Sequence, residues 1–171
     1  CATCGTALKE SYKVLVEGES REWKERVEAF SAKVRDISEF LTGKIKLNKA
    51  ERESLLKVTY HDPCDLGRNS KVFDPPRNIL NAIPGLKLVE MTNNRQLCVC
   101  CGGGGDLEMI DPELSAAIAE RKIQEIQDTR ADVVVTSCQQ CIRTISGYAR
   151  KKEIDLRVMD ITEVVLEAMG S

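Results

Sequence analysis

The sequence "CVCCGGGG" concentrates the chemically reactive residues of this chain. Three of its eight cysteines, Cys98, Cys100 and Cys101, lie within four positions and are followed by four consecutive glycines. Adjacent cysteines cannot easily form a disulfide with each other, and a glycine run costs backbone entropy on folding. The segment is therefore a candidate for a metal site, a phosphate-binding loop, a disulfide hub or a passive connection.

The remaining five cysteines are two CxxC pairs and one single residue, namely Cys1 with Cys4, Cys138 with Cys141, and Cys64. The thiolate is the form of cysteine that binds metal or attacks a disulfide, and a helix N-terminus favours it. Several thiolates brought together repel one another unless a cation lies between them. The cysteines therefore predict an iron–sulfur cluster or zinc. A thioredoxin-like redox pair at Cys138 and Cys141 is an alternative that leaves the other cysteines unexplained.

The number of thiols and the glycines narrow these choices. A structural zinc site needs four ligands, whereas five or six thiols are offered. The glycines match neither a P-loop nor a GxGxxG dinucleotide fingerprint. We expect them to let the backbone pass close to a bulky inorganic core and to direct N–H groups at its sulfides. The alternative is a passive, flexible turn.

Four short strands that alternate with helices must position these cysteines. The strands are predicted at "KVTYHDPC", "LKLVEM", "ADVVVTSC" and residues 156–159. The helices are predicted at residues 76–82, 112–129, 139–151 and 161–168, with Asp160 as the N-cap of the last. The pattern predicts an α/β fold, in which a parallel sheet is flanked by helices and preceded by a helical N-terminal segment.

The strand order along the chain predicts where the cysteines meet. Cys64 follows the first strand, the cysteines of "CVCC" follow the second, and Cys138 and Cys141 follow the third. In an open α/β sheet, ligands bind outside the carboxyl ends of the strands. We therefore expect all three groups at one edge of the sheet.

The N-terminal segment is predicted to be helical. Apolar residues recur at spacings of three and four over residues 20–42, which predicts one amphipathic helix with Ser20 as its N-cap and with Trp23 and Phe30 in the core. A shorter helix is predicted at residues 5–16. The only plausible boundary lies at residues 43–49, which divides the chain into a segment 1–48 and a domain 49–171.

Composition excludes several classes of function. With 25 basic and 27 acidic residues and a formal net charge of −2, the chain has no basic stripe for nucleic acid. No apolar run is long enough to span a membrane, so membrane association is expected only through a partner. A helix-rich chain of 171 residues differs from small disulfide frameworks, which favours a reducing cytoplasm. Because it begins at Cys1, we interpret the chain as a fragment of a longer protein.

The cysteines and their surroundings resemble a known family. "YHDPCDLGR", "CCGGGG" and "TSCQQC" are similar to motifs of the cysteine-rich CCG domain found in catalytic subunits (B or D type) of heterodisulfide reductases and in related iron–sulfur oxidoreductases. The resemblance extends from Val58 to the C-terminus. In addition, "CATCGTALKE" resembles the closing CxxC and helix of a preceding domain of the same kind, so residues 1–48 are expected to be its tail and residues 49–171 a complete CCG domain.

The resemblance implies a cofactor and a reaction. The cofactor would be a noncubane 4Fe–4S cluster, with zinc as the alternative, held by Cys64, Cys100, Cys101, Cys138 and Cys141. The cluster would receive electrons from other redox subunits (iron–sulfur, flavin or cytochrome) and cleave a mixed disulfide reductively. The alternatives are an electron-transfer subunit for glycolate or lactate oxidation or a quinone-linked complex, and a zinc-stabilised domain that docks a partner. An aerobically prepared fragment is expected to lose its iron.

Four further residues lie outside the five-cysteine set. His61, the only histidine, lies three residues before Cys64. A lone histidine usually packs or hydrogen-bonds, but this position makes His61 a candidate proton donor or a hydrogen-bonding neighbour of the cluster. Cys98 falls outside the five-cysteine pattern and has no assigned role. Cys1 and Cys4 are expected to belong to an incomplete first metal site.

Overall fold

A computed structural model describes residues 1–44 and 56–170 and has the predicted α/β architecture. The four strands form one parallel sheet in the order β2-β1-β3-β4. The strands are β1 (Leu56–His61), β2 (Leu86–Leu88), β3 (Val133–Thr136) and β4 (Arg157–Asp160). All four lie where the sequence predicted them, because each is a short apolar or β-branched run that ends in turn residues.

Helices precede the sheet and cover both of its faces. Their bounds are α1 (Ala2–Thr6), α2 (Tyr12–Leu15), α3 (Arg21–Ser31), α4 (Ile37–Leu41), α5 (Asp74–Ala82), α6 (Leu107–Ile110), α7 (Pro112–Asp128), α8 (Gln139–Lys151) and α9 (Ile161–Ala168). Wider π-helical turns are formed by Ala7–Ser11 and Asp65–Asn69, and 3-10 turns by Arg95–Leu97 and Gly104–Asp106. The four helices predicted in the α/β part are α5, α7, α8 and α9, and Asp160 caps α9 as predicted. None of the helices in the described ranges is both long and apolar enough to cross a membrane.

The central strand β3 contributes to two separate cores. Val134 packs on one face with Ile145 of α8, whereas Val133 and Val135 pack on the other face with Ile161 of α9. All four residues of β3 are buried. A strand buried on both faces has a continuous apolar sequence rather than an alternating one, which explains "VVVT".

The strand order creates a crevice between β1 and β3. From β1 the chain proceeds to β2 on one side, and it then returns to place β3 on the other side of β1. Such a reversal is the topological switch point at which open α/β sheets bind ligands. Cys64 follows β1 and Cys138 follows β3, so both lie at this crevice.

The N-terminal segment differs from the prediction of one helix over residues 20–42. Ser20 caps α3 as predicted, since its Oγ accepts a hydrogen bond from the Trp23 N–H at 3.4 Å. However, the chain leaves the helix after α3 and begins α4 at Asp36, whose side chain accepts from the Ser38 N–H at 2.8 Å while Glu39 reaches back to the Asp36 N–H. This capping box starts a new helix within the apolar periodicity.

The prediction that Trp23 and Phe30 belong to the core is wrong. Their exposed fractions are 48% and 44%. Trp23 lies under the Arg26 guanidinium, 4.4 Å from the ring centroid, and Phe30 stacks on Tyr12. The apolar stripe therefore packs only partly, against the preceding helices. The predicted helix over 5–16 begins earlier, at Ala2, and continues through the π-helical turn to α2. The predicted boundary between residues 48 and 49 lies outside the described residues.

Candidate metal centre

Two helix starts position cysteines at the crevice. Cys64 occupies the N-cap position of the Asp65–Asn69 turn that follows β1, and Cys138 occupies that of α8. Cys141 lies in the first turn of α8, so the CxxC spacing puts both of its thiols at the same helix end. The N–H groups of a helix N-terminus favour thiolate there.

Five thiols form one continuous series across the crevice. The Sγ atoms of Cys101 and Cys141 are 3.4 Å apart. Cys100 is hydrogen-bonded to the thiols of Cys64 and Cys101, and Cys138 is hydrogen-bonded to that of Cys141. The order across the crevice is thus Cys64, Cys100, Cys101, Cys141, Cys138. The structure brings together the five cysteines that the strand order predicted to meet, because parallel strands end at one edge of the sheet.

The thiols perturb one another's acidity. Hydrogen bonds from the Cys101 and Cys64 thiols lower the pKa of Cys100 to about 2, and the hydrogen bond from Cys141 lowers the pKa of Cys138 to about 6. The pKa of Cys64 is raised, mainly by its hydrogen bond with Cys100, and the pKa of Cys141 is raised, mainly by its hydrogen bond with Cys101 and then by that with Cys138. Sulfur atoms that share protons in this way are a donor set in which a soft cation can replace the protons.

His61 places an unpaired nitrogen at the same site. Its side chain is 1% exposed, and its Nε2 has no hydrogen-bond partner among the described residues. Ligand atoms of His61, Cys101 and Cys141 all lie within 4.8 Å of one another. Burial, with the nearby charge of Lys122, lowers the pKa of His61 to about 3, so the imidazole is neutral. A buried polar atom without a partner indicates that something else occupies this position. The site therefore fits a metal or cluster.

Two glycines of the loop are required by close packing. Gly102 has φ of +90°, and a Cβ there would lie 2.6 Å from the Ser115 carbonyl oxygen, while a Cβ on Gly103 would collide with the Thr144 hydroxyl. The Gly102 N–H points at the Cys100 sulfur, 3.4 Å away, and the Gly103 N–H bonds the Cys101 sulfur. These glycines thus let the loop pack against α7 and α8 and direct N–H groups at thiols.

Cys1 and Cys4 do not join the series of five thiols. Both are exposed, and among the described residues no thiol contact involves them. Their helix α1 nevertheless packs beside the site, since the Thr3 hydroxyl donates to the Asp65 carboxylate at 2.6 Å. The first CxxC pair therefore lies on an element that contacts the turn after Cys64.

Cys98 lies just behind the series. It is 4% exposed, and its Sγ is 3.6 Å from His61 Nδ1 and 3.7 Å from Lys122 Nζ. Burial raises the pKa of Cys98, so the group is a protonated thiol. The Arg68 guanidinium donates to the Cys98 carbonyl oxygen at 2.9 Å and ties this loop to the turn after Cys64.

Sequence reasoning missed a buried charge network that supports the loops. Arg77 binds both carboxylate oxygens of Asp62, at 2.7 and 2.8 Å, and also contacts Glu90 at 2.6 Å. Asp62 also accepts from the Arg95 N–H at 2.7 Å. The network joins the loop after β1 to the loop that leads to Cys98. One residue of the sequence could have indicated this network. Asp62 lies directly after a buried strand, and a carboxylate in that position needs a buried cation as its partner.

The sequence of this chain is similar to those of several known proteins. The model of the CCG cysteine-rich domain family matches residues 58–146. The D-type subunit of the heterodisulfide reductase of Methanosarcina acetivorans is 40% identical over 136 residues, covering 78% of this chain and 33% of that protein. The B-type subunit of the CoM/CoB fumarate reductase of Methanothermobacter marburgensis is 37% identical over 96% of this chain and 30% of its own length. Lactate utilization protein A of a Geobacillus strain is 29% identical, over 95% of this chain and 66% of that protein. The chain thus spans about a third of the first two relatives.

Proposed function

Because this chain belongs to the CCG cysteine-rich domain family, we propose that it is the iron–sulfur redox domain of a heterodisulfide-reductase-like subunit. Its relatives include oxidoreductase subunits, which supports a redox role within a larger protein. The single observation that carries the proposal is the continuous series of five thiols at the switch point of the sheet. A structural zinc site would use four of them and leave one thiol without a function.

The proposed cofactor is a noncubane 4Fe–4S cluster held by Cys64, Cys100, Cys101, Cys138 and Cys141. When bound, such a cluster accepts and passes on electrons and offers iron to which substrate sulfur can bind. The chain supplies five thiolates, backbone N–H groups of the glycine loop directed at two of them, and an apolar wall behind them. These groups would hold anionic sulfur beside buried apolar side chains, and hydrogen bonds to sulfur tune the reduction potential.

The proposed reaction is the reductive cleavage of a mixed disulfide. Breaking the S–S bond to give two thiols consumes two electrons and two protons. The neutral His61 imidazole lies beside Cys101 and Cys141 and has a buried, unpaired Nε2, which supports a hydrogen-bonding role towards anionic sulfur. Proton donation by His61 requires in addition that negative charge at the site raises its pKa.

The complete protein is proposed to work with partners. Electrons would come from other redox subunits, as in the multi-subunit enzymes that the names of the relatives describe. Residues 1–48 are proposed to be the tail of a preceding cysteine-rich domain, because "CATCGTALKE" and "CQQCIRTISG" both place a CxxC pair at a helix start. Cys1 and Cys4 would then belong to a first metal site that is incomplete in this chain. We propose a cytoplasmic location, with any membrane association made by a partner.

Metal analysis of the anaerobically purified chain tests the cofactor. We expect about four iron and four sulfide per chain and an electron paramagnetic resonance signal after one-electron reduction or oxidation. The matched control is the same chain exposed to air, which is expected to lose iron and to form disulfides. Zinc in the absence of sulfide would contradict the proposal.

Two alternatives are each favoured by one observation. The similarity to lactate utilization protein A along nearly the whole chain favours an electron-transfer subunit for lactate or glycolate oxidation, or for a quinone-linked complex. In that case the iron–sulfur chain would be reducible but would not cleave disulfides with an artificial electron donor. The grouping of His61, Cys101 and Cys141 favours a zinc-stabilised docking domain, for which metal analysis would find zinc instead of iron.

A further inference from the structure

The cysteine without an assigned role, Cys98, lies between two buried polar side chains. Its Sγ is 3.6 Å from Nδ1 of His61 and 3.7 Å from Nζ of Lys122. His61 and Lys122 are 1% and 0% exposed. The three groups form a row that runs from α7 to the five-thiol series, where a ring nitrogen of His61 lies within 4.8 Å of the Cys101 and Cys141 sulfur atoms.

Lys122 is held in one position by partners on all sides. Its ammonium group pairs with Glu125 at 2.6 Å and contacts the sulfur atoms of Met91 and Cys98 at 3.6 and 3.7 Å. Glu125 is held in turn by the Asn93 side-chain amide. An ammonium group has three N–H donors and no acceptor, so these three contacts use its full capacity. Lys122 must therefore act as a donor towards the Cys98 sulfur.

We propose that Lys122 and Cys98 are positioning residues that fix the His61 imidazole as the tautomer protonated at Nε2, with that N–H directed at the Cys101 and Cys141 sulfur atoms. The role of the N–H towards a bound cluster rests on the proposed function, whereas the tautomer is a property of the chain itself. The inference gives Cys98 a function that is distinct from metal ligation.

The donors and acceptors around the Cys98 sulfur favour this tautomer of His61. If Nδ1 of His61 carried the proton, both Lys122 and His61 would donate to one thiol sulfur, which is a weak acceptor. With Nδ1 unprotonated, the Cys98 S–H donates to Nδ1 and its sulfur accepts only from Lys122. The competing acceptor for the thiol proton is the Val99 carbonyl oxygen at 3.5 Å. Imidazole nitrogen is the stronger acceptor of the two, so the contacts of Cys98 with His61 and Lys122 are satisfied when Nε2 carries the proton. The Nε2 N–H, which has no partner among the described residues, is then left for the metal centre.

This tautomer would give the metal centre a hydrogen-bond donor in a fixed position, the Nε2 N–H of His61. An N–H at Nε2 stabilises anionic sulfur, whereas a bare Nε2 lone pair would repel it or would compete as a metal ligand. Partners in the outer shell of a metal site set both the tautomer and the orientation of a histidine. Loss of the Cys98 contact is therefore expected to release the ring and to lower the reduction potential of a bound cluster.

The single histidine of this chain allows a direct test. In the metal-free, reduced chain labelled with nitrogen-15, long-range proton–nitrogen correlation spectra distinguish the two tautomers by the chemical shifts of the imidazole nitrogens. We expect one species, protonated at Nε2. The variant Cys98→Ala is expected to populate both tautomers, while Cys98→Ser, which retains a hydroxyl donor, and the exposed control Cys4→Ala keep the original spectrum.

A second variant tests the inference independently, in case Cys98→Ala does not fold. Lys122→Met combined with Glu125→Gln removes the ammonium group without leaving an unpaired carboxylate, and it is also expected to give a mixture of tautomers. A wild-type chain protonated at Nδ1 would overturn the inference. So would a spectrum that neither Cys98→Ala nor the Lys122 variant changes. The absence of iron and sulfide from the anaerobic chain would refute the proposed cofactor but not the tautomer, so the two failures are distinguishable.

Discussion

The two CxxC pairs of this chain have the same local structure and different environments. Cys1 precedes α1 and Cys138 precedes α8, and each fourth residue, Cys4 or Cys141, lies within the helix that follows. Yet Cys138 and Cys141 are each 4% exposed and contact other thiols, whereas Cys1 and Cys4 are exposed. A helix start and a CxxC spacing do not make a metal site by themselves.

The difference arises from what surrounds each pair. Cys138 follows β3 at the switch point, where Cys64 follows the neighbouring strand β1 and the glycine loop brings Cys100 and Cys101. In the described part of the chain, the α1 pair has no such neighbours. Its helix is joined to the turn after Cys64 by hydrogen bonds from Thr3 and Thr6 and by the buried side chain of Ala2. Among the described residues, the fold therefore gives only one of two similar motifs contacts with further thiols.

The largest expected difference between the two CxxC pairs is in the metal content of the chain after each pair is replaced. Cys138→Ser with Cys141→Ser is expected to abolish iron and sulfide binding in the anaerobic chain, because two of the five proposed ligands are lost. Cys1→Ser with Cys4→Ser serves as the matched control and is expected to retain the metal content of the wild type. Equal loss in both double variants would show that the pairs do not differ in function.

Alkylation of the reduced, metal-free chain measures how accessible the thiols of each CxxC pair are to reagent in solution. Cys1 and Cys4 should react with iodoacetamide at least about a hundredfold faster than Cys138 and Cys141, because the buried pair reacts only after local opening. Mass spectrometry of labelled peptides gives the rates. The low pKa of Cys138, about 6, favours the reactive thiolate, so a comparable rate for Cys138 would mean that the crevice is open to solvent.

The contacts that support the crevice loops and those that support the α1 pair should differ in energy. Arg77→Met leaves Asp62 as a buried charge without its partner, which costs about 3–5 kcal/mol of unfolding free energy. Thr3→Val removes one exposed hydrogen bond and should cost about 1 kcal/mol or less. Urea unfolding of both variants in the metal-free, reduced state gives the two values. A similar cost for both changes would contradict a site supported mainly from the buried side.

The strands and several of the helix starts around the site could be predicted because their sequence signals are local. Apolar runs such as "VVVT" and the N-caps Ser20 and Asp160 define the strands and several helix starts without tertiary information. The convergence of Cys64 with Cys138 also followed, since the ends of parallel strands share an edge.

The features that failed depend on tertiary packing. The periodicity over residues 20–42 did not reveal that Asp36 starts a second helix, or that Trp23 and Phe30 face solvent. Arg77 and Lys122 were not predicted as buried, because their partners are distant in sequence or act through neighbouring sulfur atoms. A charged residue is predicted to be exposed unless its partner is known.

Anomalous X-ray scattering from anaerobically grown crystals tests the central claim most directly. Data collected at the iron absorption edge should show iron density in contact with the five sulfur atoms of the crevice, and none at the exposed pair Cys1 and Cys4 of the same chain. Data at the zinc edge should show no peak there. A zinc peak at the crevice, or iron bound without Cys64 and Cys100, would contradict the account.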